Sequence, residues 1–171
     1  MTLTWEAYQN EAIKTLNQDL DIKEAIISTS WGLIGEFGEV TDILKKFRFH
    51  GHTLNSDRLK DELGDVYWYL AVASKLLMVD IVQIREILDY SLADLIPNIN
   101  GDIADFATIA PEYKDYPASQ RNLLNRIAFS LECLCKHFSF NKEDIWELNV
   151  KKLQKRYENG FTTDASVNRV N

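Results

Sequence analysis

The sequence predicts an all-α helical bundle with a degenerate internal repeat, and three observations predict it. Apolar residues recur at helical rather than alternating spacing along nearly all of the 171 residues. Only 7 Gly and 3 Pro punctuate them, too few for the turns of a strand-rich fold. Segments of helical pattern also echo one another at fixed offsets.

Taken in order, a first helix is expected over about Leu3 to Leu20, with Trp5, Tyr8, Ala12, Ile13 and Leu16 facing inward. A second covers about Asp21 to Phe47 and stops before the loop Phe49-His50-Gly51-His52. The third starts after Asn55-Ser56, residue types that cap helices, and continues to about Met78. Asp80 with Gln83 three residues on resembles a capping box, predicting a fourth helix that stops before Pro97. A short helix over about Asn100 to Ala110 follows, then a stretch bounded by Pro111 and Pro117. Helices at about Ala118 to Phe138 and Asn141 to Tyr157 complete the set, with Asn141 and Asp144 as the last cap. The polar tail after Gly160 is expected to be loosely ordered unless it docks.

The echoes divide the chain. Leu33, Glu36, Phe37, Glu39, Val40 and Leu44 reappear 26 residues later as Leu59, Glu62, Leu63, Asp65, Val66 and Leu70. An offset of 66 gives the weaker copy Ile99, Asp102, Ile103, Asp105, Phe106 and Ala110. An offset of 61 matches Leu63, Val66 and Leu70 to Leu124, Ile127 and Leu131. A single domain over 1–171 is therefore expected. Within it, 1–90 is the unit with the acidic motifs, 91–158 a degenerate second unit with the C-terminal helix, and 159–171 a tail. In the second unit Glu62 and Asp65 map to Leu123 and Arg126, so one copy keeps its acidic chemistry and the other supplies packing.

Composition excludes several classes. Hydrophobic residues at 46% and charged residues at 26% suit a packed core rather than disorder. A net charge of -7 argues against nucleic acid as a partner, because backbone binding needs clustered cations. No apolar run reaches the ~18 residues that span a bilayer, so no membrane partner is expected. The N-terminal residues lack a basic segment followed by an apolar one, and Cys133 and Cys135, two apart in a helical pattern, point away from each other and do not pair. Both features predict a cytoplasmic protein.

The candidate chemistry lies in four carboxylates. At ~100° per residue, Phe37, Val40 and Leu44 fall within about 40° of Leu33, as Leu63, Val66 and Leu70 do of Leu59. Glu36 and Glu62 then fall near 300°, and Glu39 and Asp65 near 240°. Each helix thus carries two acids on the edge of its buried stripe. If the stripes pack antiparallel, all four can converge. Like charges ~4 Å apart repel by roughly 1 kcal/mol in water and ~4 kcal/mol near a protein surface, so convergence calls for a cation. An all-carboxylate set suits Mg2+, with Mn2+ as the alternative, whereas zinc prefers Cys or His. The competing reading is a pair of solvated helix edges.

Other residues are weaker candidates. Lys46 shares the face of Glu39 and is suited to a phosphate; otherwise it is a surface lysine. Asn149, Lys152 and Arg156 form a stripe on the last helix suited to a polyphosphate, or a solvated face. Trp68 and Tyr69 are placed to stack on a base, or to fill the core. His50 and His52 read as turn residues.

Gly35-Glu36-Phe37-Gly38-Glu39-Val40, followed by Glu62-Leu63-Gly64-Asp65-Val66 and Trp68-Tyr69-Leu70, resembles the Glu-x-x-Glu…Glu-x-x-Asp signature of MazG-like proteins. These belong to the all-α nucleoside triphosphate pyrophosphohydrolase superfamily. Tyr8-Gln9, Lys45-Lys46 and His50-Gly51-His52 agree, as do Asn149, Lys152-Leu153, Arg156-Tyr157, Gly160-Phe161, Ser166 and Arg169. The resemblance covers about residues 1–88 and 141–171. It implies a MazG-like bundle and Mg2+-dependent cleavage of a nucleoside triphosphate to the monophosphate and pyrophosphate, as nucleotide-pool housekeeping. Glu36, Glu39, Glu62 and Asp65 would be metal ligands and catalytic groups. Lys46, Trp68, Tyr69, Asn149, Lys152 and Arg156 would bind substrate. The chain departs from the simple pattern by an insert of about 50 to 60 residues, the degenerate copy. An internal copy standing in for a partner subunit implies a homo-oligomer of few chains, with a dimer favoured, as in the related dimeric dUTPases. The alternatives are a dUTPase- or dCTPase-like enzyme of narrow base specificity and a catalytically silent helical module that binds metal or a partner.

Overall fold

The computed structural model describes residues 3–82, 89–157, 161–163 and 167, and among these every regular element is helical. Six α-helices follow in order: α1 (Trp5–Lys14), α2 (Ile22–Phe49), α3 (Ser56–Leu76), α4 (Leu92–Ile109), α5 (Pro117–His137) and α6 (Lys142–Arg156). A 3-10 turn at Ala110–Glu112 follows α4. No helix among the described residues is long and apolar enough to cross a membrane.

Caps set most boundaries. Asp21 opens α2 with a reciprocal box, its side chain accepting from the Glu24 amide while Glu24 reaches back to the Asp21 amide. Asn55 and Asn141 cap α3 and α6 by accepting from the amides of Arg58 and Asp144. Pro117 takes the first position of α5, where its missing N–H costs nothing.

Two elements differ from expectation. α1 ends at Lys14, well short of Leu20. The Thr15 hydroxyl donates to the Ala12 carbonyl, Gln18 donates to those of Ile13 and Leu16, and the Asn17 side chain accepts from the Asp19 amide. Side chains thus offer the backbone an alternative to continued helix. Pro97, before which one helix is expected to stop, lies instead inside the one helix α4, which runs on through the short helix expected over about Asn100 to Ala110. Proline costs a helix interior ~3 kcal/mol. The stripe Leu95, Ile99, Ile103 and Phe106 crosses that position without a break and is buried, at ~1.5–3 kcal/mol for each side chain. Burial outweighs the lost hydrogen bond. The expected opening at Asp80 and Gln83 is not fully visible, because Gln83 lies outside the described residues. Asp80 itself is not helical, and Asn125 of α5 pins its segment by bonding the Asp80 carbonyl and the Val82 amide. Most of the tail also lies outside the described residues.

α3 is the axis of the molecule. It packs against α1, α2, α5 and α6, and Leu59, Leu63, Val66, Tyr67, Leu70 and Ala71 are all buried. α2 lays Leu33, Phe37, Val40 and Leu44 on it, and α4 packs on α2 and pairs with α5. The α2–α3 pair is antiparallel. Glu39 meets Arg58, Glu36 meets Glu62 and Asp65, and Gly32 meets Tyr69, so positions fall along α2 as they rise along α3.

Candidate metal centre

Glu36 on α2 and Glu62 and Asp65 on α3 each bring a carboxylate oxygen within 4.8 Å of the other two. All three are half-buried. Glu39, the fourth acid predicted to join them, does not. Its side chain is 56% exposed and faces Arg58 at 3.6 Å. Arg58 also approaches Glu62 at 3.6 Å, so one guanidinium bridges the outer end of the cluster.

α6 supplies the inner end. Asn149, only 2% exposed, donates from Nδ2 to Asp65 Oδ1 at 2.9 Å, and Lys152 donates to Asp65 Oδ2 at 2.8 Å and to Asp61 Oδ1 at 2.7 Å. This approach depends on Gly64. A Cβ there would stand 3.1 Å from Asn149 Cβ, and the Gly64 carbonyl and the Asn149 side chain both lie within reach of the Tyr8 hydroxyl. Gly32 plays the matching part on α2, where a Cβ would fall 2.1 Å from the Tyr69 ring.

The cluster is electrostatically uncomfortable. Burial raises the pKa of Glu62, and the neighbouring charges of Asp65 and Asp61 add to it, against a lowering by Arg58. Asp65 is also raised, because burial outweighs the attraction of Lys152. Lys152 is pulled down by its own burial, but Asp65 and Asp61 together leave it raised. Both members of this ion pair thus shift upward for different reasons. Desolvation rules the acid, and negative neighbours rule the base.

Beside the acids opens a cleft of about 350 Å³, with Glu36 and Asp65 on its wall together with Arg156 and the rings of Trp68, Tyr69, Tyr157 and Phe161. A second cavity of about 250 Å³ shares Thr15, Trp68, Leu153 and Tyr157 with it and reaches Asn149. The Trp68 indole donates to Thr15 Oγ1 at 2.8 Å, and its ring meets Tyr69 edge-on. Both aromatics are therefore held from behind, partly buried, with surface left on the cleft.

Of the ten residues singled out in the sequence, eight gather around this cleft or on the triad: Glu36, Glu62, Asp65, Trp68, Tyr69, Asn149, Lys152 and Arg156. Glu39 stands outside the triad, and Lys46 turns to Asp42 on its own helix at 2.5 Å. Lys45 and Lys46 hold the Asp42 carboxyl down at about 2. His50 and His52 are exposed in the loop. Arg58 and Asp61 are participants that the sequence reading missed. Each lies one helical turn before Glu62 or Asp65, so i,i+4 spacing carried the signal.

Three carboxylate ligands of this kind suit a hard divalent ion better than zinc, which prefers Cys or His. No protein-family model matches the chain, and no curated protein or solved structure matches it.

Proposed function

We propose that the chain is a Mg2+-dependent nucleoside triphosphate pyrophosphohydrolase of MazG-like type, with Mn2+ as an alternative ion. One observation carries the reading: Glu36, Glu62 and Asp65 meet within 4.8 Å at the edge of a cleft that also holds Arg156 and aromatic rings. Bound there, a divalent ion would supply Lewis-acid polarisation of the phosphoryl oxygens. Glu36, Glu62 and Asp65 would hold it. Arg156 on the cleft wall offsets the charge that builds on the departing pyrophosphate, and Lys152 steadies Asp65. Trp68 or Tyr69 offers a face to the base. Water adds to the α-phosphorus, the bond to the bridging oxygen breaks, and monophosphate and pyrophosphate leave.

The internal repeat belongs to the same proposal. In the repeat, Asp102 of α4 echoes Glu36, and Arg126 of α5 echoes Asp65. Those two side chains form an ion pair at 2.7 Å, so a guanidinium stands in the second hairpin where the first would hold its metal. An internal copy of this kind favours a homodimer over a larger assembly. The buried free thiols Cys133 and Cys135 suit a reducing, cytoplasmic setting.

A second reading has its own observation. Lys152 bridging Asp61 and Asp65, with Arg58 over Glu39 and Glu62, is a set of internal counter-cations that would serve a catalytically silent module. Pyrophosphate release over a panel of dNTPs and NTPs, with and without Mg2+, separates the two and exposes any dUTP or dCTP preference. The enzymatic reading expects Mg2+-dependent release with at least one nucleotide. It also expects a loss of ~100-fold or more for Glu36→Gln and a smaller one for Glu39→Gln. Release from no nucleotide by the wild type, or undiminished release by Glu36→Gln, contradicts it.

A further inference from the structure

The pair Tyr8-Gln9 has no part in the chemistry above, yet Tyr8 is one of the largest fully buried side chains among the described residues. Its ring stacks on Trp146 at 5.5 Å with an interplanar angle of 11°. Packing alone would be served by phenylalanine. A buried phenol must also place its proton, or its hydroxyl costs stability.

That proton has a definite destination. The hydroxyl lies 2.9 Å from Asn149 Oδ1 and 3.3 Å from the Gly64 carbonyl, and the shorter contact is the stronger acceptor. Burial, with the negative charge of Asp65 added, raises the phenol's pKa well above its ordinary value, so it remains a donor. An amide that receives a hydrogen bond on Oδ1 must present Nδ2 on the opposite side. Here Nδ2 points at Asp65 Oδ1, 2.9 Å away. A flipped amide would set its carbonyl oxygen against a carboxylate. With Lys152 on Oδ2, both oxygens of Asp65 have a donor behind them, and each keeps a lone pair for a cation in front.

We propose that Tyr8 is a positioning residue: its hydroxyl locks the Asn149 amide, which in turn holds the Asp65 carboxylate toward Glu36 and Glu62. This inference rests on the metal-dependent reading given above. Supporting partners of metal ligands typically change affinity or activity by ~10- to 100-fold when removed.

Calorimetric titration with MnCl2, beside pyrophosphate release as a function of Mn2+, tests it on four proteins. These are wild type, Tyr8→Phe, Asn149→Leu and the double variant. Tyr8→Phe keeps the ring on Trp146 and is expected to weaken Mn2+ binding by ~10-fold or more, with turnover recovering at high Mn2+. Because Tyr8 acts through Asn149, the double variant should bind Mn2+ no more weakly than Asn149→Leu. Wild-type affinity in Tyr8→Phe, or losses that add in the double variant, overturns the inference while leaving the enzymatic reading in place. A wild type that binds no Mn2+ overturns both.

Discussion

Asp65 illustrates how little a charged side chain's own identity settles. It is raised by burial, held by Asn149 and Lys152 from α6, and faced by two more acids. A second buried carboxyl, Asp102 at 3% exposed, is paired instead with a single cation, Arg126. Burial raises the pKa of Asp102, and Asp105 adds to this, against a lowering by Arg126. A carboxyl that holds its proton more tightly when folded contributes stability that is full below its unfolded value, near 4. That contribution is lost as pH rises through the raised folded value. Asp102→Asn removes the titration, so relative to wild type the variant should gain stability from about pH 4 upward and then level off. Urea unfolding at a series of pH values measures this. Curves that stay parallel across that window would show that Asp102 carries no such cost.

α4 shows an element overriding a local signal. Pro97 predicts a break, and the helix runs through it because Leu95, Ile99, Ile103 and Phe106 must all reach α2 and α5. Replacing Pro97 with alanine restores an amide donor at an exposed position. The expected gain is up to ~3 kcal/mol, less whatever the more flexible unfolded chain takes back. An unchanged or lowered urea midpoint for Pro97→Ala would mean that α4 is shaped around the proline. The same contrast explains what was legible. Caps and apolar stripes fixed α2, α3, α5 and α6 to within a few residues because those signals are local and agree with the packing. The early stop of α1 rests on side-chain bonds from Thr15 and Gln18 that periodicity does not encode.

Viewed complete, the bundle turns separate patterns into one site. Matching angles on α2 and α3 predicted that acids would line the seam, but an angle says nothing of height along the axis. The antiparallel register sets Glu36 opposite Glu62 and Asp65 and leaves Glu39 beyond them, opposite Arg58. Asn149, Lys152 and Arg156 were visible as a stripe. What brought the first two onto Asp65 is the close passage of α6 over Gly64, a mid-helix glycine whose role only packing reveals.

The central claim is that Glu36, Glu62 and Asp65 together hold one divalent ion. Equilibrium binding of Mn2+ to wild type and to the Glu36→Gln, Glu62→Gln and Asp65→Asn variants tests it without reference to any substrate. One saturable ion per chain in the wild type, weakened at least tenfold by each substitution, is the expected result. No saturable binding in the wild type, or binding that all three variants retain, would contradict it.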